Sequence, residues 1–468
     1  MLHLPTHGAL HRNGTELGTF SRIKQRVHMS LILVLVLALG GSFVLAPATP
    51  AAAEVNTSDK VCGKTASKLG IESSNLPDLI CQKAMLMSKE GTIYYARDID
   101  KEIKIASTTK IMTAIVTLDT VKLDDTLTVS KAAANIGGSS ANLKEGDTLT
   151  VEQTLRGLMI PSGNDAATAL GEFVGKKLDS KTKKPLQTFV TKMNETAKKL
   201  GCSRTTFTNP HGLDADEWAG NLHSTTRDVM TMFAYAMKND TFRKIIAETD
   251  STIKVKGSDG NERTWKMDFH NQLLNKDGNI GGKTGTTHEA GFCNICAYDK
   301  DGREFYIAVM HSDSNDHRYT DTATLASWFF SHQKTFAAAQ TNAKTLNGNP
   351  LIARMALSDW SNKTIDVTLK DPDEQISAFS LDGDVTCTAK FTKTSGDIKR
   401  GEKVGTLDLK QNGSVFKKID LVSDEDSPAP TIPERGLVLL DRLCHALTGA
   451  KTAETRMFQK TTLLTINS

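Results

Sequence analysis

The chain has 468 residues, of which 39% are apolar and 24% are charged, and its 57 Lys and Arg residues nearly balance 54 Asp and Glu residues. This composition is typical of globular domains and excludes a disordered chain, a collagen-like repeat and a protein with many membrane spans. Seven cysteines cannot form a dense disulfide framework in a chain of this length, so the fold must rest on apolar cores.

The chain begins with a short apolar run that follows basic residues. Basic side chains at positions 22, 24 and 26 precede the apolar residues 31–39, and a run of small residues ends at Ala53. This order is typical of a secretory signal peptide, and the apolar run is shorter than the roughly 20 residues of a membrane-spanning helix. We predict a signal peptide over residues 1–53. Its removal leaves a formally neutral mature chain, so we expect an extracytoplasmic substrate and no nucleic-acid partner.

The mature chain divides by pattern into two folded parts and a tail. Helical and strand patterns alternate over residues 54–345, whereas residues 346–425 contain short alternating runs separated by turns such as Asn412-Gly413. The second part contains no constellation of reactive side chains, and we interpret it as a small β-rich spacer or interaction domain. Residues 426–468 are predicted to form a linker, an amphipathic segment and a tail.

The amphipathic segment spans residues 434–447. Leu437, Leu440, Cys444 and Leu447 fall on one face of a helix at these spacings. Such a face suits peripheral contact with a membrane interface, and the preceding signal peptide favours that interpretation. A helix docked on its own protein fits the same pattern, so both alternatives stay open.

All seven cysteines lie in the mature part, so at least one is unpaired in a monomer. Cys62 and Cys81 are candidate partners, although the sequence does not determine pairing. Cys293 and Cys296 have the spacing of a metal or redox motif, but they lie in a strand-like run, where positions three apart face opposite sides. We therefore interpret the second pair as packing residues.

Three short motifs follow one another along the chain: Ser-Thr-Thr-Lys at 107–110, Ser-Gly-Asn at 162–164 and Lys-Thr-Gly at 283–285. A serine three residues before a lysine occurs five more times in this chain, so the first motif means little by itself. The Lys-Thr-Gly triplet occurs once. The prediction therefore depends on the order of the three motifs and on the context of each.

Ser107 lies at the start of an apolar helical segment, and Lys110 follows one turn later on the same face. A serine hydroxyl becomes a nucleophile when a nearby base takes its proton, and a lysine serves as that base when burial or a second cation lowers its pKa. Lys283 is the candidate second cation. In an isolated match, by contrast, the serine would only cap the helix and the lysine would be solvated.

The other two motifs supply polar groups beside a cleft. Residues 162–164 fall in a loop between helical segments, where Ser162 can relay a proton and Asn164 can hold both Lys110 and a substrate amide, although the same residues also suit an ordinary helix cap. Residues 283–285 lie in a glycine-rich stretch, and glycine lets a substrate backbone approach a strand closely. A phosphate-binding loop is excluded because the glycine-rich segment required before the lysine is missing.

These motifs resemble those of the low-molecular-weight penicillin-binding proteins, the serine-type D-alanyl-D-alanine carboxypeptidases. The resemblance extends over residues 81–330. It includes further segments that follow the family pattern, at 143–147, 209–213, 223–225 with Asp228, 271–274 and 290–291. The family implies an α/β fold, a penicillin-binding/β-lactamase-like transpeptidase domain whose antiparallel sheet is flanked by helices and a helical subdomain, followed by a small β-rich domain.

The resemblance also implies a role for each matching residue. Ser107 would be the acylated nucleophile, Lys110 its base and Ser162 a member of the proton relay. The residues implied to bind substrate are Asn164, Lys283, Thr284, Gly285, Thr286 and Arg318. The backbone N–H groups of Ser107 and Thr286 would form the oxyanion hole, in which each donor is worth about 3 kcal/mol.

We therefore predict an enzyme at the outer face of the cytoplasmic membrane or in the cell wall. It would remove the terminal D-alanine from peptidoglycan stem peptides through a Ser107 acyl-enzyme, use no metal or cofactor, and be inhibited by β-lactams. A DD-endopeptidase of the same fold and a non-catalytic cell-wall or penicillin-binding protein stay open as alternatives. A β-lactamase is disfavoured because no Glu-x-x-Leu-Asn segment lies between the second and third motifs.

Two other hydrolytic sites are disfavoured. A Ser-His-Asp triad built on His211 or His223 is not required, because Lys110 already supplies a base for Ser107. A zinc peptidase site on the same histidines lacks the His-Glu-x-x-His helix that such enzymes use.

Overall fold

The computed structural model describes residues 58–300 and 302–465, so the predicted signal peptide lies outside the described residues. The helices of this part are, in chain order, α1 (Ala66–Leu69), α2 (Lys110–Thr120), α3 (Lys131–Ala134), α4 (Val151–Met159), α5 (Asn164–Leu178), α6 (Pro185–Lys199), α7 (Thr226–Ala236), α8 (Asp240–Ile246), α9 (Asn315–Ser331) and α10 (Ile432–Thr448). Single 3₁₀ turns lie at Ser73–Asn75, Ala106–Thr109 and Asp216–Trp218.

The strands of the described residues form two large sheets and three smaller ones. In chain order they are β1 (Lys60–Val61), β2 (Lys64–Thr65), β3 (Lys83–Ser88), β4 (Ile93–Arg97), β5 (Glu102–Ile103), β6 (Thr126–Thr128), β7 (Thr148–Thr150), β8 (Ser224–Thr225), β9 (Thr252–Lys256), β10 (Glu262–Lys266), β11 (Asn279–Thr287), β12 (Gly291–Lys300), β13 (Arg303–Ser312), β14 (Gln333–Ala337), β15 (Ala353–Ala356), β16 (Thr364–Leu369), β17 (Gln375–Phe379), β18 (Val385–Phe391), β19 (Lys403–Gln411), β20 (Ser414–Ser423), β21 (Arg456–Met457) and β22 (Thr462–Leu464).

A seven-stranded antiparallel sheet organises the first part of the chain, with the strand order β11-β12-β13-β3-β4-β1-β2. Successive side chains of a strand point to opposite faces, and both faces of this sheet are covered. Along β12, Cys293 and Ile295 belong to one buried core, while Cys296 and Tyr298 belong to another. The predicted opposite orientation of Cys293 and Cys296 is confirmed, because each thiol packs into a different core.

Helices cover both faces of this sheet and carry the predicted motifs. On one face the core continues into α2, α4 and α5, which bury Ile111, Leu158 and Leu170. On the other face α9 packs Leu325 and Phe329 against the sheet. The 3₁₀ turn before α2 packs against the edge strand β11, and this contact brings the first motif to the third.

The last part of the chain builds a second seven-stranded sheet, with the order β21-β15-β16-β20-β19-β18-β22, around its own buried core. The predicted β-rich character is thereby confirmed, whereas the division of the chain after residue 345 into separate domains stays a prediction. Two strands of this sheet, β21 and β22, lie within the predicted tail. β21 pairs with β15, and β22 pairs with β18. These strands have two and three residues, which is too short to show a period in the sequence.

Helix α10 carries the predicted amphipathic segment and begins with a capping box at Thr431. Its polar side is held to the β-rich part, since Arg442 donates a hydrogen bond to the carbonyl oxygen of Ser358 over 2.5 Å and Asp441 accepts one from Ser361 Oγ over 2.5 Å. The leucines of its opposite side are exposed. Within the described part of the chain, no helix combines the length and the apolarity needed to cross a bilayer.

All seven cysteines are unpaired, so the candidate bond between Cys62 and Cys81 does not form. The Cys62 side chain hydrogen-bonds the Asp382 carboxylate, and the Cys81 side chain hydrogen-bonds that of Asp321. Burial raises the pKa of both thiols above the usual range, so both stay protonated and unreactive at neutral pH.

Candidate active site

Ser107 lies in the 3₁₀ turn that leads into α2, and packing fixes the backbone of this turn. The preceding residue, Ala106, has a left-handed φ of 46°, which is a strained conformation for a residue with a Cβ atom. Its carbonyl oxygen packs against Gly212, where an added Cβ would lie only 1.9 Å away. Glycine is therefore required at position 212, and this close contact helps to hold the strained turn beside Ser107.

Lys110 begins α2 one turn after Ser107 and is fully buried. Its Nζ donates hydrogen bonds to Ser107 Oγ over 2.8 Å, to Asn164 Oδ1 over 2.7 Å and to the carbonyl oxygen of His211 over 2.8 Å. Burial, and then the charge of Lys283, hold the pKa of Lys110 well below its usual range. The site therefore contains a buried amine that can lose its proton while it stays in contact with the serine hydroxyl.

Ser162 lies in the loop between α4 and α5 and has a left-handed φ of 61°. Its Oγ accepts a hydrogen bond from Lys283 Nζ over 2.8 Å. The next residue must be glycine, because a Cβ on Gly163 would lie 2.7 Å from the carbonyl oxygen of Gly157 and 2.9 Å from the backbone nitrogen of Ala141. Tight packing thus holds this strained loop in a single conformation.

The first two residues of α5 are tied to a neighbouring loop. Asn164 Nδ2 donates to the carbonyl oxygen of Gly137 over 2.9 Å, which orients its Oδ1 toward Lys110. The buried Asp165 accepts hydrogen bonds from the backbone N–H groups of Ala141 and Leu143. Sequence reasoning missed Asp165, and its position directly after the Ser-Gly-Asn motif is the signal that could have identified it.

Lys283 lies on the edge strand β11 and is also buried. Besides its bond to Ser162, its Nζ donates to the carbonyl oxygen of Thr284 over 2.6 Å. Burial, and then the charge of Arg318, lower the pKa of Lys283 to about 7. The third motif therefore supplies the second cation that the sequence analysis expected, and the charge of this cation acts on Lys110.

The rest of the Lys-Thr-Gly strand lies directly beside the serine. A Cβ on Gly285 would lie 3.0 Å from the backbone nitrogen of Ser107, so strand and turn meet at a glycine. Arg318 of α9 donates to Thr286 Oγ1 over 2.9 Å and to the carbonyl oxygen of Gly285 over 3.3 Å. Thr284 is buried and Thr286 is exposed. The nine residues that the sequence analysis singled out are therefore joined in one set by hydrogen bonds and direct packing.

The two histidines considered in the sequence analysis have other surroundings. The His211 ring is buried edge-on against Trp218 at 4.6 Å, and burial together with Lys110 lowers its pKa to about 3. Only its carbonyl oxygen contacts Lys110, a contact that sequence reasoning missed. His223 Nδ1 lies 2.8 Å from the carbonyl oxygen of Asn221. Among residues 58–300 and 302–465, no group of three or more His, Cys, Asp or Glu side chains is arranged to hold a metal ion.

The chain is similar to one protein family and to several known proteins. Residues 71–314 match the family described as D-alanyl-D-alanine carboxypeptidase. The chain is 26% identical to D-alanyl-D-alanine carboxypeptidase DacF of Bacillus subtilis, over 78% of this chain and 88% of that protein. It is 30% identical to D-alanyl-D-alanine carboxypeptidase DacC of Escherichia coli, over 72% of this chain and 81% of that protein. The crystal structure of the Streptomyces K15 DD-transpeptidase is 34% identical, with a TM-score of 0.51, and the match covers 55% of this chain and 98% of that one.

Proposed function

The chain belongs to the D-alanyl-D-alanine carboxypeptidase family, and we propose that Ser107 is the nucleophile through which it acts. It is a serine-type carboxypeptidase whose substrates are peptidoglycan stem peptides ending in D-Ala-D-Ala, and it binds β-lactams. The observation that carries the assignment of Ser107 is the 2.8 Å contact between Lys110 Nζ and Ser107 Oγ, in a site where burial lowers the pKa of the lysine.

In the proposed acylation step, neutral Lys110 accepts the proton of Ser107 while Ser107 Oγ attacks the carbonyl carbon of the penultimate D-alanine. The lowered pKa of Lys110 supports this role, because an amine accepts a proton only after it has lost its own. Asn164 and the His211 carbonyl hold Nζ in place, so little reorganisation accompanies the transfer. The carbon–nitrogen bond of the tetrahedral intermediate then breaks, and D-alanine leaves.

Ser162 is proposed to pass a proton to the departing amine. Its hydroxyl oxygen accepts a hydrogen bond from Lys283 Nζ over 2.8 Å, which supports the role because it holds that oxygen in a fixed position. The proton that Lys110 took from Ser107 can then move through Ser162 to the leaving nitrogen. Water subsequently attacks the acyl-enzyme with Lys110 again as base, which releases the shortened stem peptide and regenerates Ser107.

The terminal carboxylate of the substrate is proposed to bind at the cationic end of the site. Lys283 and Arg318 supply positive charge beside β11, and Thr284 and Thr286 supply hydroxyl groups on that strand. A guanidinium group can hold a carboxylate with two parallel hydrogen bonds, which suits Arg318 to this role. Asn164 would hold the amide of the peptide on the opposite wall.

The developing oxyanion is proposed to bind the backbone N–H groups of Ser107 and Thr286. Gly285 supports this assignment, since its missing side chain leaves space next to the Ser107 nitrogen. A β-lactam presents a strained amide carbonyl beside a carboxylate and would use the same groups. Its acylation of Ser107 would therefore report the same chemistry as the first step with a peptide.

Two substrates test this function against the endopeptidase alternative. The full chain is incubated with a stem pentapeptide ending in D-Ala-D-Ala and, separately, with a cross-linked peptide dimer, and the products are separated by chromatography. We expect release of D-alanine from the pentapeptide at a higher rate than cleavage of the dimer. Faster cleavage of the dimer would assign an endopeptidase. No reaction with either substrate or with penicillin would favour the non-catalytic alternative.

Export and membrane contact complete the proposal. We propose that residues 1–53 direct export and that α10 contacts the outer surface of the cytoplasmic membrane. Leu437, Leu440 and Leu447 of this helix are 65%, 60% and 83% exposed. Leucine is among the residues most often buried in proteins, so this exposed apolar surface supports contact with lipid. The polar side of α10 docks on its own protein, so the two alternatives that the sequence left open are compatible: one side of the helix binds the β-rich part and the other is free for lipid.

A further inference from the structure

A cavity of about 500 Å³ lies where the first sheet meets the β-rich part, and it includes none of the nine proposed site residues. Its volume falls in the range of pockets that hold small ligands. Its walls come from β4 and β13 on one side and from β17 and the β19–β20 hairpin on the other. We call it the aromatic cavity, and the residues that characterise it are Glu90, Tyr94, Arg303, Phe379, Asp382 and Phe416.

Aromatic rings form a fixed floor and an open edge in this cavity. The Tyr94 ring packs against Phe329 and Phe379, with centroid distances of 4.9 and 5.0 Å. Phe416 lines the cavity from β20 and is 42% exposed. A ligand that stacks on the exposed Phe416 ring would remove this apolar surface from water.

Charged groups of both signs line the same cavity. The half-buried Asp382 carboxylate hydrogen-bonds the side chains of Cys62 and Asn412, and burial raises the pKa of Asp382. The exposed Glu90 adds a second carboxylate and Arg303 adds a guanidinium group. Acceptors and donors are therefore presented next to aromatic faces.

This combination selects the chemical class of the ligand. A purely apolar molecule would displace water from the charged groups of Glu90, Asp382 and Arg303 and would offer them no hydrogen bonds in return, which is unfavourable. A small ion would make no use of the rings. A sugar ring has apolar C–H faces that stack on aromatic side chains and hydroxyl groups that both donate and accept hydrogen bonds.

We propose that the aromatic cavity binds saccharide units of the glycan strand to which stem peptides are attached. The choice of this glycan over other saccharides rests on the proposed function. A second contact with the polymer would keep the enzyme close to successive stem peptides and raise their effective concentration at the active site.

Titration of the full chain with chitotetraose, a soluble tetramer of β-1,4-linked N-acetylglucosamine, tests the proposal by saturation-transfer NMR. Phe416→Ala removes the exposed ring, and Glu90→Gln removes an exposed acceptor charge. Leu346→Ala is the matched control, since this exposed apolar residue lies outside the cavity. We expect the wild-type and control proteins to bind equally, and Phe416→Ala to bind about fivefold more weakly. The rate of reaction with penicillin should be the same in all four proteins, which shows that each is folded.

Each outcome of the titration either supports the proposal or overturns it. Absence of binding by the wild type, or equal binding by Phe416→Ala, would overturn it. If Phe416→Ala does not fold, the decision falls to Glu90→Gln, for which unchanged binding would overturn the proposal. Loss of binding after penicillin treatment of the wild type would place the saccharide in the active-site cleft and also overturn it. The proposed function is tested separately, by measuring release of D-alanine. If no D-alanine is released, the titration of the untreated protein still shows whether the cavity binds the saccharide.

Discussion

The Nζ atom of Lys110 lies 2.8 Å from Ser107 Oγ, and both of its other hydrogen-bond partners come from distant segments of the chain. These partners, Asn164 and His211, hold a buried amine against the hydroxyl that it would activate. Burial and the charge of Lys283 lower the pKa of this amine. The local spacing of one helical turn and the long-range packing of the site thus act on the same atom.

Replacement of Lys110 by methionine should slow acylation strongly without unfolding the protein. A general base contributes about 10² to 10⁴-fold to a rate, so the rate of acylation by a fluorescent penicillin should fall by at least 100-fold. A methionine fits a buried site and removes a buried charge, so the melting temperature should stay within a few degrees of the wild type. An acylation rate within tenfold of the wild type in a folded Lys110→Met protein would contradict the role of this lysine.

The pH dependence of acylation should report both lysines. The rate should rise with pH as Lys110 loses its proton and fall again as Lys283, whose pKa is about 7, loses its own. Charge on Lys283 lowers the pKa of Lys110, so Lys283→Met should move the acidic limb to higher pH. The second-order rate constant of acylation, measured from pH 4 to 10, reports the pKa values of both lysines in the free enzyme.

Lys283→Arg is the control for this pH prediction. A guanidinium group keeps its charge across the measured range, so the acidic limb should stay near its wild-type position and the fall near neutral pH should disappear. Identical profiles for the wild type, Lys283→Met and Lys283→Arg would show that Lys283 does not act through its charge.

A methyl group added at Gly285 should block the space beside the Ser107 nitrogen. The new Cβ would lie 3.0 Å from that nitrogen, which is closer than carbon atoms normally approach. We expect Gly285→Ala to lower the acylation rate by about 100-fold, the effect of losing one oxyanion donor. Gly220→Ala is the matched control, since its Cβ would meet only one atom, at 4.0 Å, and its rate should be unchanged. Equal rates in both variants would remove Gly285 from the proposed oxyanion site.

Some contacts of the motif residues can be predicted from the sequence, and others cannot. Ser107 and Lys110 are one helical turn apart, so their contact follows from local geometry that a sequence pattern reports. The partners contributed by His211 and Gly137 are backbone carbonyls, which any residue type could supply, so no side-chain pattern marks them. The need for glycine at position 212 likewise arises from a contact with a residue more than 100 positions away.

In the β-rich part, too, some elements can be predicted from the sequence and others cannot. Strands β16, β18 and β19 have six to nine residues, which is long enough for an alternating sequence pattern to indicate a strand. Strands β21 and β22 are too short for a period, and they are held in the sheet by pairing with β15 and β18 rather than by their own pattern. The exposed leucines of α10 were predictable from their spacing, but the hydrogen bonds that orient the helix were not.

The exposed leucines of α10 should determine membrane association. Changing Leu440 and Leu443 together to glutamine removes apolar surface that would enter the lipid interface, and each buried leucine contributes about 1.5 to 3 kcal/mol. Co-sedimentation with phospholipid vesicles should therefore weaken by at least about tenfold. Leu346→Gln, which changes a leucine outside α10 that is even more exposed, should leave co-sedimentation unchanged. Unchanged vesicle binding by the double variant would contradict membrane contact through this helix.

Mass spectrometry of the full chain after treatment with penicillin tests the central claim most directly. Digestion of the treated protein locates the modified residue, and we expect a single penicilloyl adduct on Ser107. Ser107→Ala should carry no adduct, while its melting temperature matches that of the untreated wild type. An adduct on any other residue, or an adduct that persists in Ser107→Ala, would contradict the assignment of this serine as the nucleophile.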